Sequence, residues 1–160
     1  VYVEPIARLQ AGDLRREAIW GDFAEMMPRG QPGPGDRGFD VTVNWGRTYW
    51  GGAIFCLLAD VRIHQQTEGR MGLQTALRAI NARRDFRHDW DFRDTLAIGD
   101  EATGTSVLIG QYEDMRLDAK PADLDALWAD LGVRVGDGTV TFDEGARLAA
   151  IRRAIERPKS

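Results

Sequence analysis

Residues 47–63 read RTYWGGAIFCLLADVRI, and this stretch decides the fold. From Ala53 to Ala59 the side chains are apolar on every side of a helical projection, which is typical of a helix that is buried all round. Beyond Asp60 the pattern becomes amphipathic, and Gly69 is expected to end the helix. Tyr49 falls in the first turn of this predicted helix, so its phenol would lie at the N-terminal end of a buried helix.

The composition is that of one globular domain. The chain has 160 residues, of which 43% are apolar and 29% are charged, and a chain of this size can bury a substantial core. Its formal net charge of -4 provides no basic surface, so no nucleic-acid partner is expected. No apolar run approaches the ~20 residues that a membrane helix needs, so no membrane span is expected. We therefore predict a single helical domain over residues 1–160.

Helical periodicity recurs on both sides of the central stretch, and the predicted fold class is mainly α, a helical bundle with one small β-hairpin near the C-terminus. Glycine and proline dominate a long loop over residues 28–46, in which 39–43 could be a short extended piece, and residues 85–90 form a polar break. Asp13 and Asp143 are candidate helix caps, Gly99 a candidate helix end, and Pro121 a candidate helix start. The predicted helices cover 1–10, 14–27, 73–84, 91–98, 107–115 and 121–131, with a hairpin over 133–142 and a last helix after it.

The residues alone predict no complete active site. No His-Glu-x-x-His or Cys-x-x-Cys occurs, and His64 and His88 are far apart, so no metal site is expected in this chain. His64 is expected on the surface at the outer end of the central helix, and His88 on a charged, solvated face. Cys56 is expected to be a small core residue, because reactive thiols are exposed and lie near positive charge. The glycines of the long loop do not follow a strand as those of a phosphate-binding loop do.

Tyr49 is the residue that could carry chemistry. A tyrosine at the start of a buried helix can donate a hydrogen bond to a developing oxyanion, a role that needs a fixed donor. The alternative is a tyrosine that only packs. The loop over residues 28–46 leaves two interpretations as well, since loops of this length are often functional but can also be surface connectors.

A stretch of the glycyl aminopeptidase family resembles the sequences YWGGA at 49–53, LLADVRI at 57–63 and TEGRMGL at 67–73. These proteins are thermolysin-like zinc peptidases related to aminopeptidase N, and their pattern runs Tyr-x-Lys-Gly-Ala, then Leu-Asp-x-x-Ile-Arg, Thr-x-Gly and Ser-Leu. The motif tyrosine stabilises the oxyanion on the scissile carbonyl, so the resemblance implies that Tyr49 is catalytic. This chain departs from the pattern at Gly51, where the family has lysine, and at Gly72, where it has serine.

The opening VYVE at 1–4 looks like the continuation of the family's Glu-Gly-x-x helix, whose glutamate is the third zinc ligand. The resemblance therefore implies that residues 1–160 are the C-terminal helical part of a larger catalytic domain, with zinc in the full-length parent and none in this fragment. It also implies two partners, the upstream part of that domain and a peptide substrate, and a loop at 28–46 that borders the substrate cleft. The alternative is a non-catalytic helical scaffold or peptide-binding module. No residue indicates whether the parent is periplasmic or cytoplasmic.

Overall fold

The computed structural model describes residues 1–42, 44–83 and 91–158. Over these ranges the chain is mainly helical, with one antiparallel two-stranded hairpin near the C-terminus, which confirms the predicted fold class. None of the described helices is long and apolar enough to cross a membrane. The elements are α1 (Val3–Ala11), α2 (Arg16–Met26), a 3-10 turn (Met27–Gly30), α3 (Trp45–Gln66), α4 (Leu73–Arg83), α5 (Phe92–Thr103), α6 (Val107–Arg116), α7 (Leu124–Leu131), β1 (Val133–Gly136), β2 (Thr139–Phe142) and α8 (Ala149–Glu156).

Helix α3 is the centre of the domain. It contacts the 3-10 turn, α4, α6 and α8, and it has buried residues on every side from Trp50 to His64, which confirms the predicted buried helix. The helix begins at Trp45, earlier than expected, because the side chain of Asn44 accepts a hydrogen bond from the Arg47 backbone N–H at 2.8 Å. After Gln66 the chain turns at Gly69, whose φ of 77° is left-handed, so the expected glycine stop is also confirmed.

The remaining elements cover α3 from two sides. Helices α4 and α5 pack as a pair with α6 beside them, while α2 packs against the hairpin and α7 packs against α8. Trp20 of α2 is wholly buried and meets Phe23 and Trp128 edge-on. The hairpin pairs Val133 with Phe142, as predicted.

Several predicted helix boundaries are wrong. Asp13 does not cap α2, which begins at Arg16 after an extended Arg15. Gly99 does not end α5, because the helix continues to Thr103 and ends at the left-handed Gly104. Gly99 has a packing role instead, since a Cβ there would lie 2.5 Å from the Leu108 side chain.

Two further boundaries are displaced. Helix α7 begins at Leu124 rather than at Pro121, and the side chain of Asp123 caps it by accepting from the Ala126 N–H at 2.9 Å. Asp143 does not cap α8, which begins at Ala149; its carboxylate accepts from the Gly145 N–H at 3.0 Å.

The possible extended piece at 39–43 is a turn where the structure describes it. The backbone N–H groups of Val41 and Thr42 both donate to the carbonyl oxygen of Gly38, at 3.2 and 2.9 Å. Val43, the polar break at 85–90 and His88 lie outside the described residues.

Candidate functional site

Tyr49 lies near the start of α3 with 47% of its surface exposed. One face of its ring stacks on Trp45, with centroids 5.0 Å apart and planes 11° from parallel. Trp50 meets the Tyr49 ring edge-on at 5.9 Å, and Trp50 is itself buried in the core. The phenol is thus held between a core indole and an exposed one, and it still reaches solvent.

The same face of α3 contacts Val1 and Tyr2, the residues just before α1. Cys56 and Asp60 follow Tyr49 by two and three helical turns and lie on the same stripe of the helix. Asp60 accepts a hydrogen bond from the Tyr2 hydroxyl at 2.8 Å, and the N-terminal amino group is close enough to Cys56 to act on its pKa. Tyr49 and the start of α1 therefore share one side of the central helix.

A groove of about 620 Å³ opens along α3, and Thr48, the residue before Tyr49, lines it. Gly52 and Cys56 of α3 line it as well, so the groove follows the helix for about two turns. A Cβ at Gly52 would meet no atom within 4 Å, which means that the helix backbone itself is accessible there. Most of the other walls are apolar side chains of α4, α5, α6 and the loop before α3: Phe39, Leu73, Leu77, Ile80, Phe92, Leu96 and Leu108.

Position 51, where the family pattern has lysine, faces the loop before α3. A Cβ at Gly51 would lie 2.8 Å from the Phe39 ring and 2.9 Å from Nη1 of Arg47. The Arg47 guanidinium stacks over the Phe39 ring at 4.1 Å, and its Nη1 donates to the carbonyl oxygen of Gly30 at 2.9 Å. The buried Arg47 guanidinium therefore occupies the space beside Gly51.

The loop before α3 is anchored at several points along its length. Nε of Arg47 donates to Asp36 at 2.9 Å, and both side chains are only 3% exposed. Further along, the N–H groups of Phe39 and Asp40 donate to the last carbonyls of α6, at 3.1 and 3.0 Å. The loop thus forms a fixed wall of the groove. That this groove is a substrate cleft, as the resemblance implies, stays a prediction.

Asp60 joins three parts of the chain beneath this face. Besides the Tyr2 hydroxyl, its carboxylate accepts the Leu73 N–H at 2.8 Å and lies 3.5 Å from Nε2 of His64. Burial, and then the negative charge of Asp60, raises the pKa of Tyr2 well above its ordinary value. The expectation that His64 lies on the surface is wrong: it is 1% exposed, because α3 stays buried up to its last turn and turns this side chain toward Asp60.

Cys56 is half-buried at the edge of the groove and packs against the core. Burial, with a contribution from Asp60, raises the pKa of its thiol to about 11. The thiol is therefore protonated at neutral pH, which makes it a poor nucleophile and a poor metal ligand. This fits the predicted packing role.

The described residues do not supply a zinc site. Within them, no three side chains of histidine, cysteine, aspartate or glutamate come together in a way that could hold a metal ion. Asp60 and His64 are only two donors, and the Asp60 carboxylate already accepts from Tyr2 and Leu73. The role proposed for this chain therefore involves no metal bound to the described residues.

Comparisons of the chain with protein-family models, with curated proteins and with solved structures find no match.

The sequence indicated Tyr49 as a candidate but did not predict the aromatic residues and the groove near it. Trp45 was outside the predicted helix, although its i,i+4 spacing to Tyr49 is the spacing at which aromatic side chains meet on a helix. Asn44 followed by this aromatic pair is a recognisable helix start. The groove had no signal in the sequence, because distant elements form its walls.

Proposed function

We propose that this chain is the C-terminal helical part of the catalytic domain of a zinc aminopeptidase-like protein, in which Tyr49 donates a hydrogen bond to the oxyanion of the tetrahedral intermediate. The resemblance assigns the zinc to residues upstream of this chain, where the metal would polarise the scissile carbonyl and activate water. The contribution of this chain is the phenol and the surface around it. The isolated chain is then expected to be inactive.

The observation that carries the proposal is the half-exposed Tyr49 ring, fixed between two indoles at the head of a buried helix. An oxyanion donor must be placed before the reaction, so that no reorganisation is needed when the charge develops. A tyrosine that only packs has no need of exposure. The contact of Tyr2 with Asp60, on the Tyr49 side of α3, adds support, because the resemblance puts the third zinc ligand just before Val1.

The groove supports a peptide substrate. Pockets of about 300–1,000 Å³ with mainly apolar walls and a few polar groups are typical of ligand sites. Here the volume is about 620 Å³, and the accessible backbone at Gly52 lies within one helical turn of Tyr49. A peptide lying in the groove would pass Thr48, the residue next to Tyr49 in the chain.

Replacing Tyr49 with phenylalanine in the longer protein tests the proposed role. Loss of one oxyanion donor is expected to lower turnover by about 10²–10³ while leaving zinc content unchanged. Equal turnover in Y49F and the wild type, at equal zinc content, would remove Tyr49 from the mechanism. In parallel, metal analysis of the purified 160-residue chain is expected to find no bound zinc, and peptide-cleavage assays no activity.

The second candidate is a peptide-binding module without catalysis. The groove favours this candidate, because an apolar groove can bind a peptide without any catalytic group. The two candidates differ in the residues upstream of Val1. Glu-Gly directly before Val1, with His-Glu-x-x-His about twenty residues earlier, would decide for the peptidase. Other residues there would decide for the module.

A further inference from the structure

Trp45 is an unusual residue for its place in the structure. It is 71% exposed, so its indole contributes little to the core. A single exposed apolar residue is common, but Trp45 and Tyr49 are both exposed and stack on each other, and together they form an aromatic patch. The ring contact of Trp45 is with Tyr49, where the planes lie 11° from parallel at 5.0 Å.

Without Trp45, the Tyr49 ring would have Trp50 as its aromatic neighbour. Trp50 is held by the core and meets the edge of the Tyr49 ring at 5.9 Å, which restrains the ring from one side. A half-exposed tyrosine restrained by this one contact would be free to change rotamer into solvent. The stacked indole opposes that change, because leaving the stacked position would forfeit the aromatic contact.

We propose that Trp45 is a positioning residue for Tyr49: its indole holds the phenol in one rotamer so that the hydroxyl is presented toward a ligand in a fixed place. The inference rests on the proposed function for its consequence in catalysis. Its structural part, the control of the Tyr49 ring by Trp45, holds in the isolated chain as well. The two parts can therefore be tested separately.

The structural test follows the ring resonances of Tyr49 by NMR in the 160-residue chain. In W45A these resonances should move downfield as the ring current of the indole is lost, and they should average between rotamers, whereas W45F should restore part of the wild-type shift. The matched control is F92A, which removes another exposed aromatic residue, one that stacks edge-on with Tyr112 at 5.0 Å. F92A should leave the Tyr49 resonances in place. Tyr49 resonances that are the same in W45A and the wild type would overturn the inference.

The catalytic test compares steady-state kinetics of W45A and W45F in the longer protein. Loss of the stack is expected to lower kcat about threefold to tenfold with little change in KM, because a donor to the transition state is misplaced while ground-state binding stays the same. W45F should recover most of the loss. A W45A variant that raises KM at unchanged kcat would overturn the positioning role, since Trp45 would then be contacting substrate. If Y49F itself has no effect on turnover, the proposed function fails, and the NMR result still decides whether Trp45 holds the ring.

Discussion

Asp60 is the single side chain on which the arrangement of α1, α3 and α4 depends most. It is 4% exposed and accepts hydrogen bonds from the Tyr2 hydroxyl and the Leu73 N–H. The carboxylate satisfies two buried donors, so its removal leaves buried polar groups without this partner. Asp60 thus holds the start of α1 on the face of α3 that carries Tyr49.

D60A is predicted to lower the free energy of unfolding by about 3 kcal/mol, because two buried donors lose their acceptor at once. Urea unfolding followed by circular dichroism measures this loss. The control is D22A, since Asp22 is an exposed aspartate in the interior of α2, and it should change stability by no more than about 0.5 kcal/mol. A D60A variant as stable as D22A would show that the carboxylate does not secure the three elements.

Single-residue environments were the part of the site least accessible to sequence reasoning. Tyr49 could be picked out, because a hydroxyl-bearing aromatic residue heads the longest apolar run. His64 could not be placed correctly, since its burial depends on partners beyond its own helix. The stack of Trp45 on Tyr49 was not predicted, because α3 begins at Trp45, two residues before the stretch 47–63 in which the helix was expected.

Helix α3 contains a pair of adjacent glycines with opposite surroundings. Gly52 opens onto the groove, where an added Cβ would meet nothing within 4 Å, whereas a Cβ at Gly51 would lie 2.8 Å from Phe39 and 2.9 Å from Arg47. The two positions share the same helix and nearly the same intrinsic propensity. Alanine substitutions at the two positions therefore separate the effect of helix propensity on stability from the effect of packing.

G52A is predicted to raise the free energy of unfolding by about 0.5–1 kcal/mol, because alanine favours the helix and meets no neighbour. G51A is predicted to lower it by about 1–3 kcal/mol, because Phe39 and Arg47 must shift to make room. Thermal and urea unfolding of both variants give the comparison. Stabilisation by both changes would mean that the loop does not pack against α3 as described.

The elements themselves were largely predictable, while their ends were not. The predicted helices and the hairpin follow from apolar periodicity, which depends on neighbouring residues only. The starts of α4 and α6 were placed correctly, although other helices supply acceptors there: Asp100 of α5 accepts from the Leu108 and Ile109 N–H groups at 2.9 and 3.0 Å, and Asp60 of α3 accepts from the Leu73 N–H. The wrong ends, at α5 and α7, lie where two local signals stand close together, Gly99 with Gly104 and Pro121 with Asp123, and the local pattern does not choose between them.

Across the whole molecule, Glu144 joins the segment after the hairpin to α8 and α2. It accepts from Arg153 at 2.5 Å, lies 2.9 Å from Arg152, and lies 3.4 Å from Arg16. Hydrogen bonding by Arg152 and then by Arg153 lowers the pKa of Glu144 from 4.5 to about 2. Arg152 is wholly buried, so this carboxylate helps to balance a cation inside the domain.

The stability of the domain is therefore predicted to fall at acid pH in part through Glu144. A carboxyl group whose pKa is lower in the folded chain stabilises the fold above its unfolded pKa, and it loses this effect as the pH falls from about 4.5 toward about 2. Urea unfolding across this range should show a smaller pH dependence in E144Q than in the wild type. High salt should weaken the difference, because the side chain of Glu144 is about half exposed. Identical pH profiles for the two proteins would rule out this contribution.

The most direct test of Tyr49 as an oxyanion donor is the binding of a phosphonate peptide, a tetrahedral analogue of the intermediate, to the peptidase that we propose, with and without the Tyr49 hydroxyl. A donor that acts on the oxyanion stabilises the analogue as it stabilises the transition state. Y49F should therefore lose affinity for the analogue and kcat/KM by similar factors of about 10²–10³, with unchanged KM for substrate. Equal affinity of the analogue for Y49F and the wild type would contradict the assignment of Tyr49 as the oxyanion donor.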